Sequence, residues 1–257
     1  MSRLHKPKAG FWIRLCVMII YPLDAVLFRI RWRNLDRVPP PSAGGVLIVI
    51  NHVSQIDTVL MARFVWQSGR VPRFMIKAGM LGWPVIGPIM RGAGQIPVQR
   101  GTNDASRSVG AALEALQRGE AVIIYPEGTT TKDPDSWPMQ GRTGVARLVL
   151  LSPDTPVVPV GQWGADQGRG VSLRRLGRRR IAEVSVGKPM DLSSYRGAEH
   201  DAKTLREITD LIMTAVRDEV ADLRGETPPR EFFVPRRKYV DKADRAARIR
   251  QRFRPGH

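Results

Sequence analysis

Val46-Leu47-Ile48-Val49-Ile50 runs directly into Asn51-His52-Val53-Ser54-Gln55-Ile56-Asp57. The first five residues are apolar and rich in β-branched side chains, the pattern of a short strand. From Asp57 to Gln67 the apolar spacing becomes helical, with Leu60, Phe64 and Val65 on one side. A strand, a turn and a helix in that order predict a junction at the carboxyl edge of an α/β sheet, where ligands commonly bind. Residues five apart on a regular helix point about 140° away from each other, so His52 and Asp57 meet only if His52 lies in the turn before the helix. Such a pair fixes the tautomer of an imidazole and lets it take a proton from an alcohol. Ser54-Gln55-Ile56-Asp57 also fits a capping box, in which Asp57 serves the helix amino terminus, and the two roles are compatible. In a chain of this composition a histidine followed five residues later by aspartate arises by chance about 0.2 times, so the pair gains its meaning from its company.

Outward from that junction the same alternation repeats. Phe74-Met75-Ile76-Lys77 reads as a strand, Leu81 to Ile89 as an apolar loop punctuated by Gly82, Pro84, Gly87 and Pro88, and Ile96 to Gln99 as a short strand. Thr102 or Asn103 can cap a helix that runs through Leu116 and stops at Gly119. Ala121 to Tyr125 reads as a strand, Gly144 to Leu151 as a helix, and Val157 to Val160 and Ile181 to Val186 as further strands. Leu205, Ile208, Ile212, Ala215, Val216, Val220 and Leu223 mark one face of a long amphipathic helix. The fold class expected is α/β: a single mixed sheet covered by helices.

Four blocks occur in order along this framework: His52-x4-Asp57, Gly94-Gln95-Ile96-Pro97-Val98-Gln99-Arg100, Tyr125-Pro126-Glu127-Gly128-Thr129, and Val158-Pro159-Val160. With them the stretch from about residue 45 to 190 resembles the lysophospholipid acyltransferase family, whose best-known members acylate 1-acylglycerol-3-phosphate to phosphatidic acid. One departure stands out: the family usually continues its third block with Arg and Ser, where this chain has Thr130 and Thr131. The resemblance implies acyl transfer from a thioester donor, acyl-CoA or acyl carrier protein, to the free hydroxyl of lysophosphatidic acid. His52 is then the general base and Asp57 its partner. Arg100 is the leading cation for the acceptor phosphate, because a guanidinium binds phosphate bidentately, and Lys77 is the second. By resemblance Glu127, Gly128 and Thr129 belong to the acceptor site, the carboxylate bonding a glycerol hydroxyl and the glycine letting backbone approach the ligand. No serine sits in a Gly-x-Ser-x-Gly elbow, so direct transfer between bound substrates is expected, with no acyl-enzyme.

At 257 residues and 42% hydrophobic content the chain can bury one sizeable core. The lone Cys16 excludes an intrachain disulfide, and four scattered histidines make no metal cluster; no cofactor or metal is expected beyond the acyl donor. A net charge of +17 asks for acidic partners, whether lipid headgroups, phosphorylated substrates or nucleic acid. Eight basic and two acidic residues lie in 1–37, six arginines in 169–180, and ten basic against three acidic residues in 230–254. Nucleic acid is not expected, since no recognised module is present and the aromatics gather in an apolar amino-terminal stretch. In that stretch, Phe11 to Ile30, the uncharged run is only Leu15 to Leu23, too short to span a bilayer. Trp12, Tyr21, Phe28 and Trp32 with flanking arginines suit a segment lying in the interface of an anionic membrane, and an ordinary core-packing helix is the alternative. The expected organisation is a membrane-associating segment 1–37, an acyltransferase domain 38–225 and a basic tail 226–257, held peripherally or monotopically on the cytoplasmic face of the cell membrane.

Overall fold

The computed structural model describes residues 10–54, 56–98, 102–164 and 180–235. Its strands are β1 (Phe28–Arg33), β2 (Val46–Ile50), β3 (Pro72–Lys77), β4 (Ile96–Val98), β5 (Ala121–Ile124), β6 (Val157–Trp163) and β7 (Arg180–Val186). The helices are α1 (Phe11–Leu27), α2 (Asp57–Gln67), α3 (Ile86–Gly92), α4 (Thr102–Gln117), α5 (Gly144–Leu151) and α6 (Ala202–Arg224). The strands form one mixed sheet in the order β1-β7-β6-β2-β5-β3-β4, with β6 and β7 antiparallel and the other pairings parallel.

β2 is central and wholly buried, and its alternation divides the core. Val46, Ile48 and Ile50 face Leu60, Met61, Phe64 and Val65 of α2. Leu47 and Val49 face the opposite way, onto Ala112 and Leu116 of α4, Val145 and Leu148 of α5, and Leu205, Ile208 and Ile212 of α6. A period of two along the strand thus builds helix layers on both faces, each fully buried aliphatic side chain contributing about 1.5–3 kcal/mol. α6 is capped at its start by Asp201, whose side chain accepts from the Thr204 N–H at 2.7 Å, and at its end by Gly225 in the left-handed region (φ +64°).

Three details of the sequence reading change. The segment from Phe11 to Ile30 is not one interfacial element: α1 ends at Leu27, and Phe28–Arg33 becomes an edge strand parallel to β7. Its residues alternate, Phe28 buried and Ile30 and Trp32 packed against the core, with the arginines between them outward. The aromatics chosen for a membrane face turn inward. Trp12 packs on Gly92 of α3, Tyr21 lies under the Arg63 guanidinium of α2, and Trp32 meets Phe64 at 5.7 Å. The apolar loop Leu81 to Ile89 is instead shared between the end of a 3-10 turn, Ala78–Gly82, and the start of α3, with Pro88 in the first turn of that helix, where a missing N–H costs nothing.

Candidate active site

The parallel strands β6, β2, β5 and β3 end at one edge of the sheet, and the quoted blocks follow them there. Asn51 continues the pairing beyond β2: its Nδ2 donates to the Gln162 carbonyl at 3.1 Å, its Oδ1 accepts from the Gln162 N–H at 2.9 Å, and its own carbonyl accepts from Gln162 Nε2 at 2.8 Å. This fixes the start of the turn that carries His52.

α2 begins at Asp57, so the turn before it holds His52, and the ring Nδ1 lies 3.2 Å from Asp57 Oδ2. The same oxygen accepts the Val53 N–H at 2.7 Å and the Ser54 N–H at 2.6 Å. The cap and the histidine contact are therefore one arrangement. Only half of the expected capping box forms, because the Ser54 hydroxyl accepts from Ile56 N–H instead. Burial raises the pKa of the fully buried Asp57 carboxyl, against the opposing pull of the His52 ring and the two amides.

β5 lies beside β2, and the block after it forms the rest of the cradle. The Tyr125 ring stacks on the His52 imidazole with centroids 4.3 Å apart. Burial, and next the Asp57 charge, hold the Tyr125 phenol well above its ordinary pKa, so it stays protonated. Glu127 is 4% exposed and ties two loop segments together: Oε1 accepts the His52 N–H at 2.8 Å and Oε2 the Met139 N–H at 3.0 Å. Burial pushes its carboxyl up to about 8, the Asp57 and Asp133 charges adding to the effect. The Thr131 N–H donates to the His52 carbonyl at 2.7 Å, so both polar groups of the His52 backbone are held by this loop.

Gly128 turns the loop in the left-handed region (φ +69°), its N–H on the Tyr125 carbonyl at 2.9 Å. A β-carbon there would lie 2.8 Å from Arg142 Nε, which crosses the glycine closely. Thr129 is half-buried in the same loop, and Lys77 is exposed at the carboxyl end of β3. Arg100 lies outside the described residues, as does most of the arginine cluster 169–180.

The structure thus brings His52, Asp57, Glu127, Gly128 and Thr129 together and sets Lys77 on the same edge. It directs the Glu127 carboxylate at backbone amides. Sequence reasoning gave no role to Asn51, Gln162, Tyr125, Thr131, Met139 or Arg142. The pairing of Asn51 with Gln162 spans 111 residues, and no local periodicity announces it.

A sheet edge carrying a carboxylate-oriented, half-buried histidine has the chemistry to take a proton from an alcohol or amine. The Acyltransferase family model matches residues 29–163, just over half the chain, and the protein belongs to that family. Among relatives, it is 33% identical over 99 residues to a 1-acyl-sn-glycerol-3-phosphate acyltransferase of Neisseria gonorrhoeae, covering 38% of this chain and 37% of that one. It is 36% identical over 104 residues to a lyso-ornithine lipid O-acyltransferase of Pseudomonas aeruginosa, covering 40% and 38%. The aligned stretches thus span little more than a third of these relatives. The crystal structure of the 1-acyl-sn-glycerophosphate (LPA) acyltransferase PlsC from Thermotoga maritima shares the fold at 17% identity, with a TM-score of 0.60 over 84% of this chain and 81% of that one.

Proposed function

We propose that the protein transfers a fatty acyl group from a thioester donor, acyl-CoA or acyl carrier protein, to the free hydroxyl of 1-acylglycerol-3-phosphate, giving phosphatidic acid. The observation that carries this reading is the 3.2 Å contact between His52 Nδ1 and the buried Asp57 carboxylate, which leaves Nε2 as the basic nitrogen. Nε2 takes the hydroxyl proton as the oxygen attacks the thioester carbonyl. A carbon–oxygen bond forms, the carbon–sulfur bond breaks, and the imidazolium returns its proton to the departing thiolate. Asp57 stabilises the transient imidazolium. The free Cys16 sits on α1, with its thiol pKa raised by burial, which suits transfer without an acyl-enzyme.

The decisive assay incubates purified protein with labelled acyl-CoA and lysophosphatidic acid, lyso-ornithine lipid or monoacylglycerol. Phosphatidic acid is the expected main product, and His52→Ala should lower its rate by about 10²–10⁴. Near-normal turnover by His52→Ala would overturn the base assignment. The similarity to a lyso-ornithine lipid O-acyltransferase favours a second acceptor, and preference for it would replace the phosphate-bearing substrate. If Arg100 binds the acceptor phosphate, Arg100→Ala should weaken use of lysophosphatidic acid far more than that of monoacylglycerol, with equal losses contradicting the role.

The reading includes residence on an anionic membrane, peripherally or monotopically on the cytoplasmic side. Its support is an apolar surface: Phe11, Met18, Ile19, Leu23 and Val26 of α1 are exposed, as are Ile86, which opens the helix α3 that α1 packs against, and Trp83 and Val85 just before it. Among the described residues no helix is long and apolar enough to cross a membrane. Such a face lies in an interface, and nearby Lys or Arg adds about 1 kcal/mol each near anionic lipid. Ile19→Glu with Leu23→Glu should abolish sedimentation with neutral vesicles in high salt; persistence would place the anchor elsewhere.

A further inference from the structure

We infer that the chain after α6, Pro228 to Val234, is a positioning strap for His52 and not merely the root of a basic tail. At Gly225 the chain turns back, and Arg217 of α6 holds it down: its Nη1 donates to the Pro229 carbonyl at 2.8 Å and to the Arg230 carbonyl at 3.1 Å. The same guanidinium lies 4.8 Å from the centre of the Phe232 ring. The next residue, Phe233, forms a parallel bridge with Met139, and its carbonyl accepts the Gln140 N–H at 3.1 Å. From the other side, Gly141 is pressed against Met213 and Thr209 of α6 closely enough that a β-carbon would lie 2.8 Å from Met213 Cγ.

Met139 is the residue whose amide holds Glu127, and Glu127 holds the amide of His52. Phe233, Met139–Gln140, Glu127 and His52 are therefore joined by successive hydrogen bonds, the last of them between residues 75 apart in sequence, and each of these residues is buried or half-buried. The strap does not touch the reacting atoms. It sets the position of the Met139 amide, and through the Glu127 carboxylate the height of His52 above the sheet edge. Because a proton transfer depends steeply on placement, a small displacement of that backbone lowers the rate without altering what the site binds.

The inference rests on His52 as the base, and the experiment separates the two. In full-length protein, Phe233→Ala and, from the other anchor, Arg217→Ala should each lower kcat about tenfold per folded molecule, with KM for acceptor and donor within about twofold. Phe233→Leu should restore most of the rate. Assayed above about pH 8 in a Glu127→Gln background, where the amide NH2 opposes one of the two N–H groups and interrupts the relay, Phe233→Ala should cost less than about twofold. A full tenfold loss in that background, or unchanged kcat in both folded strap variants, would overturn the strap. His52→Ala in the same assay tests the underlying reading alone, since turnover by that variant removes the base whatever Phe233 does.

Discussion

Two buried carboxylates flank His52 and treat it differently. Asp57 meets the ring, gathering the imidazole and two amides on one oxygen, while Glu127 meets the backbone, one oxygen for His52 and one for Met139. One orients the reacting group and the other places the loop that carries it. The amino edge of the sheet sharpens the contrast. There Arg70, 2% exposed, donates to the carbonyls of Pro39, Pro40, Gly44 and Gly119, all backbone ahead of β2 and β5. That cation is spent on tying loops together, whereas at the carboxyl edge a carboxylate meets an imidazole, and among the described residues the other Asp57 oxygen, Oδ1, is buried without a hydrogen-bond partner.

The largest break in the comparison is Asp57→Asn. Asparagine still caps a helix, but it cannot stabilise an imidazolium, so kcat should fall by about 10²–10⁴ while circular dichroism stays unchanged. A folded, fully active variant would reduce Asp57 to a cap. Glu127→Gln should be milder. Above about pH 8, where Glu127 is ionised and both oxygens accept, the amide NH2 of glutamine must face one of the two backbone N–H groups, leaving a donor unpaired, and a loss of about tenfold in kcat with little change in KM is expected there. A pure rise in acceptor KM would instead make Glu127 a ligand for substrate.

The pH dependence of stability is a smaller effect with a defined sign. Glu127 titrates at about 8 in the fold and near 4.5 in the unfolded chain. Between those values the folded state keeps a proton that the unfolded state has released, so this group's contribution falls as pH rises from about 4.5 to about 8. Glu127→Gln should flatten that part of the profile. Asp24, buried on α1 and pushed to about 6 by burial against the attraction of Arg63, acts the same way between about 4 and about 6. Asp24→Asn should raise Tm at pH 7 by about 2–4 °C, and a lower Tm would mean that Arg63 needs the charge.

How much of this was legible depended on distance along the chain. The apolar run into β2, the helical spacing of α2 and the five-residue gap to Asp57 are local signals, and they gave the junction and the ring contact. β1 was also legible, since Phe28-Arg29-Ile30-Arg31-Trp32-Arg33 alternates strictly, but its charge drew attention from its period. The Glu127 clamp was not legible. It joins residues 75 apart and is made through backbone amides, which carry no side-chain signature. The same holds for Phe233 and Gln140, where the strap's aromatic residues read as part of a basic tail.

The protonation of the His52 ring tests the account most directly. Nitrogen NMR of protein labelled at histidine, assigned by comparison with His52→Ala, reports which ring nitrogen carries the proton. With the imidazole neutral, the account predicts the proton on Nδ1, facing Asp57, and a bare Nε2, with Asp57→Asn disturbing that preference. A neutral His52 protonated on Nε2 in the unsubstituted protein would contradict it, because the nitrogen assigned to take the acceptor's proton would already be occupied.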